Sequence, residues 1–202
     1  MKIIQEQETS PTRTRLLDAA QSLMLAKGFA ATTVDEICEA AKLTKGSLFH
    51  YFESKDELGK VLLERFCGDA QRLHQDMMGD DRDPLKRVYH YLDEVAAHAQ
   101  RPEGRKGCLL GTFAQELCEA YPDIRAVCAQ GFATWAKRFG EELARAKALH
   151  APTASFDPQS LAEHLIAILE GALILGKARK NPALVAAHVG HFKAYLKTFF
   201  KR

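Results

Sequence analysis

Residues 32–55 read T-T-V-D-E-I-C-E-A-A-K-L-T-K-G-S-L-F-H-Y-F-E-S-K, and two short helices joined by a tight turn account for them. Thr33 stands before Val34 and three positions ahead of Glu36, the spacing of a capping box that opens a helix. Val34, Ile37 and Ala41 then fall on one face. Thr44 caps a second helix, with Lys45 and Gly46 in its first turn. Leu48 and Phe52, four apart, point inward, and Lys45, Ser47, Phe49 and Tyr51 cannot all follow them. Ser54 and Glu57 form another capping box and start the next helix almost at once. Two helices with this spacing make a helix-turn-helix, whose second member can enter a DNA major groove.

The motif assigns contacts. Thr33 and the first turn of the second helix offer hydroxyl and N–H groups to phosphate. Gly46 lets the helix approach the groove closely, and Lys45 and Ser47 can reach base edges. Tyr51 and Lys55 suit phosphates, His50 either kind of contact, and Thr44 and Phe49 complete the candidate set.

Outward from the motif the chain stays helical. Ser10-Pro11, Asp83-Pro84, Asp157-Pro158 and Asn181-Pro182 each place a capping residue before a proline at a helix start. Helices are expected over residues 12–27, 55–78, 84–100, 108–120, 123–148, 158–178 and 182–200 besides the two of the motif, an all-α fold. Gly28 ends the first as a left-handed cap. Residues 1–10 are polar, an arm before that helix.

Charge does not advertise nucleic acid. The net is +2, and residues 1–66 hold nine Lys/Arg against ten Asp/Glu, so binding must rest on placed groups. Seven basic residues and no acid lie in 171–202, read as a solvated helix face. The longest apolar runs, among them Leu165–Leu169, are only five residues, too short for a bilayer, as is Ala172–Leu175, and no apolar leader follows Met1. A cytoplasmic chain without membrane contact is expected. The cysteines, Cys38, Cys67, Cys108, Cys118 and Cys128, are odd in number and form no C-x-x-C pair, against a disulfide framework or a zinc site. No metal or cofactor is expected. No phosphate loop, dinucleotide fingerprint or Cys–His motif points to an enzyme.

A-K-G-F-A-A-T-T-V-D-E-I at 26–37 and L-T-K-G-S-L-F-H-Y-F-E-S-K-D-E-L at 43–58 closely resemble the N-terminal domain of TetR-family repressors, over roughly residues 12–66. The resemblance implies an all-helical, homodimeric, ligand-controlled DNA-binding protein, with a DNA-binding domain over 1–55 and a regulatory and dimerisation domain over 56–202. It places Thr33, Lys45, Gly46, Ser47, His50, Tyr51 and Lys55 at positions the family uses against DNA. It also implies a dimer bundle from the last two helices. There Leu161, Leu165, Ile168, Leu169, Ala172, Leu175, Val185, Val189, Phe192 and Leu196 are apolar, and Gly171, Gly176 and Gly190 allow close approach.

Two sensors are open. K-G-C-L-L-G at 106–111 resembles a branch of the family, the NemR-like repressors, some of which sense electrophiles and oxidants through this cysteine. Cys108 is expected at a helix start, where the dipole favours thiolate, beside Arg105 and Lys106. Lys177 also matches a lysine of that pattern. The other sensor is an apolar pocket for a non-covalent inducer, lined by Tyr91, Phe113, Leu117, Phe132, Trp135 and Phe139.

Overall fold

Local caps decide where each helix begins. In the computed structural model, which describes residues 10–200, there are nine α-helices among the described residues: α1 Pro11–Lys27, α2 Val34–Ala41, α3 Lys45–Tyr51, α4 Lys55–Met78, α5 Pro84–His98, α6 Leu109–Leu117, α7 Pro122–His150, α8 Pro158–Ala178 and α9 Ala183–Phe199. The expected N-terminal arm, residues 1–9, lies outside the described residues. None of these helices is long and apolar enough to cross a membrane.

The Thr33 capping box is complete, and Thr44 accepts the Ser47 N–H at 3.1 Å. Asp83 and Asp157 accept N–H groups of Leu85 and Ser160 at 2.8 and 2.7 Å. Ser10 departs from the pattern: its hydroxyl meets the Tyr51 hydroxyl at 2.8 Å instead of capping α1. Gly28, at φ 88°, ends α1 as expected. The turn of the motif is made by Lys42 in the left-handed region, φ 52°, with the Leu43 N–H reaching back to the Cys38 carbonyl at 2.9 Å. α6 is shorter than expected, because the Ala120 and Tyr121 N–H groups both turn onto the Leu117 carbonyl.

The chain packs as two units. Among the described residues the first comprises 10–68 and 109–128, the second 69–108 and 129–200. These are units of packing rather than of function. In the first, α1 packs on α2, α3 and α6. Leu16, Met24, Ile37, Leu48, Phe52, Leu58 and Leu62 are all but sealed from solvent, so the inward reading of Leu48 and Phe52 holds. Phe113 of α6 meets Phe29 edge-on at 5.7 Å between ring centres.

In the second unit α9 packs along α8 and against α5. Of the residues expected at a dimer interface, Leu161, Leu165, Ala172, Val185, Val189, Phe192 and Leu196 are buried within one chain, at 5% exposure or less, and their stripe seals α8 to α9. Ile168 and Leu175 alone of that set retain exposure, and Ile174 and Tyr195 join them, at 49% and 47% exposed. A side chain at Gly171 or Gly190 would meet nothing of its own chain within 4 Å.

Polar groups are also buried in the second unit. Glu142 accepts from Arg87 at 2.6 and 3.1 Å and pairs with Arg145. His74, 8% exposed, lies 4.6 Å from the Tyr91 ring, and its Nδ1 has no hydrogen-bond partner. Burial, helped by Arg138 and opposed by Glu142, pulls its pKa down to about 4. A folded pKa below the unfolded value means that the unfolded chain takes the proton first. The stabilisation is complete above the unfolded pKa and is lost as pH falls toward about 4. Between pH 7 and pH 5 this single group should remove about 2 kcal/mol of stability. Urea unfolding at the two pH values checks it. His74→Phe should flatten that part of the curve, and an unchanged slope would acquit His74.

Candidate nucleic-acid interface and sensor residues

α3 presents a polar first turn outward because Leu48 anchors its other side. Thr44, Lys45, Gly46 and His50 are exposed, Phe49 is 51% exposed, and Ser47 and Tyr51 are half-buried. Lys45 pairs with Asp35 of α2 at 2.7 Å, and that hydrogen bond holds its pKa above the ordinary lysine value. The Ser47 hydroxyl lies 3.0 Å from that of Thr44, and the His50 and Tyr51 rings meet edge-on at 4.8 Å. A Cβ added at Gly46 would find only the Thr44 hydroxyl, at 3.7 Å. The fold therefore has room for a side chain there.

Other members of the set are engaged inside the unit. The Thr33 N–H and hydroxyl both donate to Glu36 at 2.9 Å. The Lys27 hydrogen bond, and then Thr33, bring the Glu36 carboxyl down to about 2. The Lys55 ammonium donates to the Phe29 and Thr32 carbonyls at 3.1 Å each and stands 4.3 Å from the Phe29 ring centre. Lys55 thus ties the turn before α2 to the start of α4, a job the phosphate reading did not include.

Sequence reasoning missed Glu116. From α6 its carboxylate accepts the N–H groups of Phe29 and Ala30 at 2.8 and 2.7 Å, and a Cβ at Gly28 would lie 2.8 Å from it. The turn that leads into α2 is therefore held from α6 as well as from α4. Only the placement of an acid at the end of an otherwise apolar helix hinted at it.

The six aromatic and apolar residues expected around one pocket are divided between the two units. Phe113 and Leu117 are buried in the first unit, where α6 faces Phe29. Tyr91, Phe132, Trp135 and Phe139 gather in the second. There the Trp135 N–H donates to the Tyr91 hydroxyl at 2.8 Å, and Tyr91 and Phe139 lie 5.1 Å apart.

Cys108 is half-buried just before α6, after a 3₁₀ turn, Gly104–Lys106, that carries Arg105 and Lys106 to the surface. Its neighbour from α8 is an acid: the Cys108 thiol hydrogen-bonds Glu170, whose carboxyl is pushed up by burial and has one oxygen without a partner. Lys177 is exposed in the last turn of α8, two turns beyond Glu170 or roughly 10 Å along the axis. Among the described residues no group of three or more His, Cys, Asp or Glu could hold a metal ion.

A capped helix-turn-helix, with helices throughout the described residues, is the architecture of a DNA-binding transcriptional regulator. The chain belongs to the tetR family of bacterial regulatory proteins: the family's N-terminal model matches residues 16–60, and the model for the tetracyclin repressor-like C-terminal domain matches 84–192. The transcriptional regulator AcuR of Cereibacter sphaeroides is 32% identical over 83% of this chain and 77% of its own. The transcriptional repressor NemR of Escherichia coli is 26% identical over 93% of this chain and 94% of its own. The crystal structure of a regulatory protein TetR from Rhodobacter sphaeroides is 30% identical, with a TM-score of 0.82 over 91% of this chain and 97% of that one.

Proposed function

We propose that the chain is a cytoplasmic repressor that binds a near-palindromic operator as a homodimer and releases it when a small molecule engages its C-terminal part. Residues 1–55 read the DNA, and residues 56–202 sense and dimerise. The observation that carries this reading is the first turn of α3, exposed and bearing Gly46 where the fold itself has room for a side chain. Two such helices reach half-sites one or more helical turns apart, ~34 Å per turn. The uncovered apolar face of α8 and α9, with Ile168, Ile174, Leu175 and Tyr195 around Gly171 and Gly190, supports dimer formation by close helix approach. That the relative NemR is named a repressor supports the sign of regulation.

The effector reacts with Cys108. Cys108 stands just before the α6 N-terminus, where a helix dipole favours a thiolate, and shortly after the exposed Arg105 and Lys106. Addition to an electrophile at this point adds bulk beside a buried carboxyl. A non-covalent effector has one specific observation in its favour, the partnerless Nδ1 of His74 among Tyr91, Trp135 and Phe139. A mobility shift with DNA flanking the gene separates these outcomes. Wild type should bind, and N-ethylmaleimide should weaken binding by about 5–150-fold, the range of ordinary coupling energies. Cys108→Ser should bind and ignore the reagent. A full response in that variant would take the reacting thiol away from Cys108, and no shift with any flanking DNA would sink the operator reading.

A further inference from the structure

Four of the five thiols belong to the first unit, and three of them, Cys67, Cys118 and Cys128, lie near one another. Cys128 of α7 is 3% exposed, and its thiol faces the Leu110 carbonyl at 3.9 Å. The Cys118 thiol is within hydrogen-bonding reach of it, and Cys67 of α4 is near enough to act on it electrostatically. Burial, and then Cys118, push the Cys128 thiol above the ordinary value, and burial does the same to Cys67. Cys118, half-buried like Cys67, lies in the turn after α6 rather than in a helix.

We propose that Cys118 and Cys128 form an oxidisable dithiol, converted by peroxides to an intramolecular disulfide that loosens the DNA-binding unit. This goes beyond the Cys108 reading and does not depend on it. Cys118 reacts first, since Cys128 is sealed from a dissolved oxidant. The Cys118 sulfur attacks one peroxide oxygen, the O–O bond breaks, and sulfenic acid forms as water leaves. The Cys128 sulfur then attacks the sulfenic sulfur, the S–O bond breaks, and a second water leaves. The two thiol hydrogens end in the two waters, and the two electrons lost by the thiols reduce the peroxide.

The geometry favours this pair. A disulfide needs its sulfurs about 2.05 Å apart, so one side must move. Cys128 is held in a long helix, whereas the irregular turn at 118–120 can yield. Cys67 sits within α4 and touches the pair only through charge. Movement of Cys118 has a direct consequence, because Glu116 is two residues away. Its carboxylate holds the Phe29 and Ala30 N–H groups at the entrance to α2. Drawing Cys118 toward Cys128 rotates the end of α6 and pulls on that hold.

The test uses full-length Cys108→Ser protein, whose reduced form is first shown to bind operator. After hydrogen peroxide and alkylation of remaining thiols, peptide mass spectrometry should find Cys118 joined to Cys128, two hydrogens lighter. Operator affinity should fall at least tenfold and return with dithiothreitol. Adding Cys128→Ser should abolish the linked peptide and leave Cys118 as a sulfenic acid trapped by dimedone. Cys118 recovered as free thiol, or joined instead to Cys67, overturns the proposal. A Cys118–Cys128 link with unchanged operator affinity overturns the regulatory role assigned through Glu116.

Discussion

Gly46→Gln should fold at least as well as wild type and bind its operator about a hundredfold more weakly. The first half follows from the space around α3: a Cβ there meets nothing closer than the Thr44 hydroxyl at 3.7 Å. Glycine is a poor helix residue, so its replacement should add up to about 1 kcal/mol to helix stability. The second half follows from the groove. Gly46 stands in the exposed first turn beside Lys45, where base edges and phosphates would lie. A glutamine side chain would hold the helix off and cost contacts worth about 2.7 kcal/mol, which is the hundredfold. Thermal unfolding and fluorescence anisotropy on an operator duplex read the two halves separately. Lys45→Ala should behave otherwise, changing which bases are preferred. A Gln variant that binds like wild type would remove this turn from the interface.

Glu142→Ala should cost about 3–5 kcal/mol of stability, a large share of what a domain possesses. Glu142 is 8% exposed and holds Arg87 through two hydrogen bonds, with Arg145 on its other oxygen. Removing the carboxylate strands the Arg87 guanidinium, whose side chain is only 17% exposed. Removing both partners is different, since no charge is then left buried. Glu142→Leu with Arg87→Met should recover most of the loss. Denaturant unfolding of the single and double variants decides it. A single variant within about 1 kcal/mol of wild type would show that water already reaches the pair.

The sequence revealed what local chemistry controls. Thr33, Thr44, Ser54, Asp83 and Asp157 announce helix starts because a cap bond spans two or three residues. Leu48 and Phe52 were readable as core for the same reason of short range. Partnership across the chain was not readable. A 3.6-residue period says that Leu165, Val189, Phe113 and Tyr91 face an interior, but not which one. Hence the period alone could not say that Leu165 and Val189 line the contact of α8 with α9, or that Phe113 meets Phe29. Glu116 and Phe29 are 87 positions apart, and nothing local joins them. Ser10 looked like a cap, yet its hydroxyl pairs with Tyr51, 41 positions away.

The first unit's discontinuity has a consequence for synthesis on the ribosome. Its opening segment ends at Gly68, and its closing segment, Leu109–Cys128, arrives after forty intervening residues of the other unit. At about 5–20 residues per second, roughly 3–12 s separate translation of the two ends. During that interval α1–α3 can form with their caps, but Phe29 lacks Phe113 beside it, and the Phe29 and Ala30 N–H groups lack Glu116. The nascent helix-turn-helix thus emerges with an uncovered aromatic ring and an untied entrance turn. It reaches its final form only once residues 109–128 have been made.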